Sequence, residues 1–473
     1  MRRFIPVRLL TILALGASSA AAQQTTQQAA AAVDPRVALS DSAIRAVLSD
    51  RVDTKRSSGI AVGILDPDGH TRVFAYGTSG TSRPLDGQSV FEIGSITKTF
   101  TATTLADMVV KGEVKLDDPV ATYLPASAHV PSRNGRQITL VDLATQSSGL
   151  PRMPSNFAPK DQTNPYGDYT EQQAIDFVSS YQLPRDVGAK YEYSNLGMGL
   201  LGIALTRREG VSYEALVRRH VIDPLGMNDT RVTLSPSMRE RLALGHDENG
   251  AVVGNWDIPG LAGAGALRST VNDMLRYLQA NADPSHAPLA PAIEMAHAKR
   301  YDTDNPNLSL GLAWHIVRTP QGSTITWHNG GTGGYRTFIG FDPARHAGVV
   351  VLSNSATSVD DIGLHFIDPR VPLAPAPVKV VHTEITVAPQ LLDRYVGDYE
   401  LAPNFHIVVT REGNALFGQP TGQDKVQLFA EKEDTFFLKV VDAQIVFTRD
   451  SSGNVTGMVL EQNGQESPGR KIR

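Results

Sequence analysis

Apolar and polar positions first fall into a regular pattern at "SGIAVGILDPDGHTRVFAYG" (58–77), which predicts two strands joined by an Asp-Pro-Asp-Gly turn. From Ser95 to Lys111 the period becomes helical, with Gly112 placed to end the helix. Residues 113 to about 265 are mixed and contain helical stretches: "TEQQAIDFVSSY", "LGMGLLGIALTRREG" and "SYEALVRRHVIDPLG". "STVNDMLRYLQA" (269–280) predicts a helix with Ser269 as its N-cap. The pattern then returns to strands at "LGLAWHIV", "STITWH", "RTFIGFDP" and "GVVVLSN". Sheet, helices and sheet again predict an α/β (α+β) domain with a helical region inserted between parts of one sheet.

Two further segments lie on the C-terminal side. "DPRVPLAPAPVKVV" is proline-rich without a clear period and reads as a stiff linker. Beyond residue 388 short alternating runs such as "FHIVVT", "TFFLKVV" and "QIVFTRD" are separated by turn signals, which predicts a small β-barrel or sandwich. The expected organisation is a signal peptide (1–22), a disordered segment (23–34), a main domain (35–367), a linker (368–387) and a β-rich domain (388–473).

The N-terminus supports export. "MRRFIPVR" is basic, "LLTILALGASS" is apolar, and "AAA" before Gln23 offers a cleavage site. The apolar stretch is shorter than the roughly 20 residues a membrane span needs. The expected location is therefore periplasmic or secreted, with no stable membrane span once the signal is removed. The chain has no cysteine, which excludes disulfides, thiolate metal sites and a cysteine nucleophile. Its net charge of −5 gives no reason to expect a nucleic-acid partner.

Three short motifs carry chemistry. In "FEIGSITKTF", Ser95 and Lys98 stand three apart where a helix begins. A serine hydroxyl needs a base beside it, and a lysine one turn on serves only if burial or nearby positive charge keeps it neutral. A surface N-cap is the ordinary alternative. In "YEYSNLG", Tyr193 can relay protons and Asn195 can both donate to and accept from a substrate amide. The ordinary alternative is a core tyrosine with Asn195 capping the next helix. In "WHNGGTGGYR", His328 closes a strand before a glycine run that lets the backbone approach a ligand. A plain glycine-rich hairpin is the alternative. A second H-x-G, beginning at His346, lies in an expected hairpin turn and lacks the glycine run.

In this order, S-x-x-K, Y-x-N and H-x-G resemble the serine β-lactamase and penicillin-binding protein superfamily, in particular its class C-like branch. The phrases "GEVKLDDPV", "LATQSSGLPR", "VIDPLGMNDTRV" and "GALRSTVNDMLRYL" resemble the same branch, so the likeness covers about 40 to 365. The tail resembles, more loosely, the lipocalin-like extension of some serine hydrolases and D-aminoacyl peptidases.

The resemblance implies a β-lactamase/transpeptidase-like antiparallel sheet flanked by helices, with a small C-terminal barrel. It implies that Ser95 is acylated, that Lys98 and Tyr193 handle protons, and that Asn195 holds the substrate amide. The backbone of Ser95 and Gly331 would form the oxyanion hole beside Gly330, and His328 would line the opposite wall. No cofactor or metal is implied. The substrate would be a small β-lactam or a cell-wall peptide, handled by a β-lactamase or D-alanyl-D-alanine carboxypeptidase. An esterase of small acyl esters and a penicillin-binding protein without turnover are the alternatives. Two departures stand out: His328 replaces the lysine of β-lactamases in this branch, and Gln146 stands where histidine is expected.

Overall fold

The computed structural model describes residues 39–376, 382–402, 405–421, 425–439, 443–462 and 465–472. The expected signal peptide and disordered segment lie outside these residues. The described parts form two units, divided between Pro375 and Ala376.

The first unit is built on an eight-stranded sheet in which every neighbouring pair runs antiparallel. From one edge the order is Thr71–Gly77, Gly59–Leu65, Ala347–Ser353, Arg336–Asp342, Thr324–Gly331, His315–Arg318, Leu308–Leu310 and Tyr301–Asp302. The two N-terminal strands thus join a sheet completed about 240 residues later, as a helical insertion requires. Side chains alternate across it. Ile60, Val62 and Ile64 pack with Val349 and Val351 under helices Asp41–Asp53 and Asp360–Ile367. Ala61, Leu65, Val350 and Leu352 face the larger helical core. Gly63 keeps this face thin: a Cβ there would sit 2.6 Å from Leu275 of helix Val271–Ala282.

Helix Thr97–Val110 runs through the larger core, with every residue from Thr97 to Met108 buried. It is buried all round, so its threonines need partners inside the protein. Thr101 Oγ1 donates to Gly263 O at 2.8 Å, and Thr99 Oγ1 to Ile96 O at 2.8 Å.

Three local expectations change. Ser95 lies in a 3₁₀ turn, Gly94–Ile96, and the α-helix itself begins at Thr97. The cap of helix Val271–Ala282 is Thr270, because Ser269 is held extended opposite Phe91 in a short strand pair. "SYEALVRRHVIDPLG" is not one α-helix but Tyr213–Val217 followed by a π-type turn over Arg218–Ile222. There the ring nitrogens of His220 reach Asp107 and Glu209, each at 2.6 Å.

The second unit is a closed barrel of eight antiparallel strands, from Gly397–Ala402 to Gln465–Lys471. Tyr395, Tyr399, Phe436 and Phe447 are fully buried in its core. The expected linker is partly committed to the flanking units. Asp368 is buried and accepts from Ser323 Oγ, and Ala374 N donates to Asp361. Ile385 N donates to Ala430 O in the barrel unit.

Candidate active site

Ser95 sits at the start of the turn that leads into the buried helix, where the first N–H groups have no intrahelical acceptor. Lys98, one turn on, is completely buried. Its Nζ lies 3.0 Å from Ser95 Oγ, 2.9 Å from Asn195 Oδ1 and 2.7 Å from Ala264 O. The amide and backbone oxygens can only accept. A neutral amine has two N–H bonds for them and keeps its lone pair for the Ser95 hydroxyl. Burial, aided by the charge of Arg152, holds the Lys98 pKa well below its ordinary value.

Tyr193 enters from the loop before helix Asn195–Glu209, and Asn195 is the first residue of that helix. Ser194 is that helix's cap and accepts from Gly197 N at 2.8 Å, which leaves the Asn195 side chain free for Lys98. The Tyr193 ring lies 4.8 Å from Lys98 Nζ. Burial raises the Tyr193 pKa, while a hydrogen bond with Ser95 opposes the shift. The phenol is therefore neutral at ordinary pH and the lysine is the group driven toward deprotonation.

The loop is braced by Gln146, for which no role was legible in its motif. Gln146 O accepts from Glu192 N at 2.8 Å and its Oε1 accepts from Ser194 N at 2.7 Å. These bonds bracket Tyr193 on both sides. Gln146 itself holds the left-handed backbone conformation, at φ 58°.

The opposite wall is strand Thr324–Gly331, which continues past His328 so that the first glycines belong to the strand. A Cβ on Gly330 would fall 2.0 Å from Ile93 O, and one on Gly94, at φ 50°, would fall 2.6 Å from Gly331 N. Only glycines at both places let this strand lie against the Ser95 turn. The backbone of Gly331 is thereby brought beside that of Ser95.

His328 does not line the cleft. Its ring is fully buried, 6.3 Å from Tyr193 and 5.1 Å from His315. Burial, then His315 and Lys98, keep its pKa well below the ordinary value, so it is a neutral ring. Its Nδ1 lies 2.6 Å from Asn329 O and Nε2 has no partner among the described residues. The neighbouring Asn329 lines the cleft instead, with Nδ2 donating to Asp360 at 2.7 Å. Burial raises the Asp360 pKa to about 6.

The cleft has a volume of about 530 Å³. Ser95, Tyr193, Asn195, Gly330 and Gly331 line it, together with Arg152, Tyr166, Trp256 and Arg336, which sequence reasoning missed. The fold also gathers Glu113, Glu209 and His220 within 4.8 Å, a grouping the sequence did not reveal. Both His220 nitrogens there are engaged by carboxylates, as in an ion-pair cluster.

A buried S-x-x-K lysine against a serine, a Y-x-N loop and a glycine strand on this sheet define a β-lactamase-type serine hydrolase. The chain belongs to the β-lactamase family, which it matches over residues 44–367, while residues 382–471 match a domain of unknown function, DUF3471. The D-alanyl-D-alanine-carboxypeptidase/endopeptidase AmpH of Escherichia coli (strain K12) is 32% identical over 311 residues, 63% of this chain and 79% of that protein. A β-lactamase of the same strain is 26% identical over 350 residues, covering 66% and 88%. Among solved structures, the β-lactamase/D-alanine carboxypeptidase from Pseudomonas syringae aligns with a TM-score of 0.60 at 21% identity, covering 69% of this chain and 98% of that one. The corresponding Yersinia pestis protein, complexed with citrate, gives 0.58 at 26% identity, covering 68% and 94%.

Proposed function

We propose that the protein is an exported acyl-transfer hydrolase of D-alanyl peptides that also recognises β-lactams, working through a Ser95 acyl-enzyme. The observation that carries this reading is Lys98: fully buried, 3.0 Å from Ser95 Oγ, with its other two partners able only to accept. Neutral Lys98 takes the Ser95 proton as Oγ attacks the substrate carbonyl. Negative charge develops on the carbonyl oxygen and is met by the N–H groups of Ser95 and Gly331. Tyr193, a neutral phenol bonded to Ser95, passes a proton to the leaving amine and is reprotonated from Lys98. Neutral Lys98 then draws the proton of the deacylating water through Tyr193 as that water attacks the acyl carbon, and returns a proton to Ser95 Oγ as the ester bond breaks. Asn195 fixes Lys98 and offers its Nδ2 to the substrate carbonyl.

The peptidase side of this reading is supported by the likeness to AmpH. Export is supported by the basic start, apolar middle and small residues of segment 1–22. Among the described residues, no helix is long and apolar enough to cross a membrane. The test is a peptide ending in D-Ala-D-Ala. Sustained release of D-alanine, faster than hydrolysis of a simple penicillin, is the expected result. Turnover of short-chain nitrophenyl esters with no action on the peptide would contradict it.

A further inference from the structure

Arg152 lines the cleft, and its charge helps keep Lys98 neutral, but its side chain has no other part in the acyl transfer outlined above. Its side chain is exposed and makes no hydrogen bond or ion pair among the described residues. Its backbone is fixed, because Arg152 O accepts from Asn195 N at 3.0 Å and Leu196 N at 3.3 Å. Its guanidinium lies 5.0 Å from the centre of the Tyr193 ring. The other cleft arginine, Arg336, is committed through Nη1 to Thr332 O at 2.6 Å and Tyr335 O at 2.9 Å. No carboxylate lines the cleft among the described residues, so nothing there competes for a guanidinium. The buried rings of His315 and His328 are neutral and supply no cation.

Position gives the charge a direction. The group that protonates the leaving amine must face the leaving group, and Arg152 is stacked on that group, Tyr193. We infer that Arg152 is a specificity residue that binds a carboxylate on the leaving-group side of the substrate, such as the free C-terminal carboxylate of a D-alanyl peptide. A guanidinium offers a planar fork that pairs with both oxygens of a carboxylate. Recognition of the anion is thereby moved from the H-x-G strand, whose histidine is buried, to the loop that precedes the Tyr193 segment in sequence. The inference rests on the acyl-transfer reading of the cleft.

The test uses binding, so that it does not depend on turnover. In full-length Ser95→Ala protein, calorimetry compares a peptide ending in D-Ala-D-Ala as the free acid and as the C-terminal amide. The free acid is expected to bind at least about tenfold more tightly, as a charge-assisted pair allows. Adding Arg152→Gln should bring the two affinities within about threefold of each other. Arg152→Lys, a point charge without the fork, should keep part of the preference. Because the result is a ratio within one protein, general damage to the fold cancels. A free-acid preference that survives Arg152→Gln would overturn the inference, as would equal or absent binding of both peptides to Ser95→Ala. Failure of the underlying acyl-transfer reading would show elsewhere, in wild-type protein that forms no adduct at Ser95.

Discussion

At Lys98 two chemical requirements meet. A base must be near the nucleophile, and it must be neutral. The S-x-x-K spacing supplies the first. Neutrality comes from burial and from Arg152, which no spacing announces. Gln146 shows the same limit more sharply, because its Oε1 satisfies a backbone N–H 48 residues away. Replacing Gln146 with alanine leaves Ser194 N without its acceptor. The expected cost is about 1–3 kcal/mol of stability, read by denaturant unfolding, together with slower acylation of Ser95. Unchanged stability and acylation would mean that Gln146 does not hold the loop. Ser95, Lys98, Tyr193 and Asn195 were legible because their roles follow from residue type at close spacing. Arg152, Gln146 and Ala264 were not, since each acts through partners set by the tertiary fold; Lys98 and Ala264 are 166 residues apart. His328 was legible as a motif but not as a buried one, because strand alternation beyond it could not be read through four glycines in six positions.

Between elements, the site depends on a strand lying against a turn. Gly94 and Gly330 make that approach, and a methyl group at Gly94 would press on Gly331 N. Gly94→Ala should therefore move Gly331 away from Ser95 and lower acylation by about a hundredfold, the scale of losing one oxyanion donor. Near-normal acylation rates would show that the strand does not form the hole. A second junction joins helix Thr97–Val110, helix Asn195–Glu209 and the π-type turn through Asp107, Glu209 and His220. Burial alone would lower the His220 pKa, but the two carboxylates hold it above its ordinary 6.5. Its contribution to stability is thus fully present below pH 6.5 and is lost as pH rises through the raised folded value. His220→Ala should cost about 3 kcal/mol near pH 6, by uncovering buried carboxylates, and less at pH 9. An unfolding difference that does not shrink with pH would refute the imidazolium bridge. Helical periodicity was legible in this segment, but the widened turn that brings His220 inward is set by its partners on two other helices.

In the whole molecule, a helical insertion divides one antiparallel sheet, and the interruption brings residues 95, 193 and 331 to one cleft. That architecture was legible because strand and helix periods alternate in long blocks. The tail's barrel was legible as short strands with turns, but its filling was not. Tyr395, Tyr399, Phe436 and Phe447 occupy the interior of its described part, which argues for a packed core over a ligand chamber. The central claim is that Ser95 becomes covalently acylated with Lys98 as its base, and intact-protein mass after mixing with a penicillin tests it most directly. A one-to-one adduct that maps to Ser95, is absent in Ser95→Ala and forms far more slowly in Lys98→Ala is the predicted result. An adduct of equal yield in Ser95→Ala, or none in the wild-type protein, would contradict it.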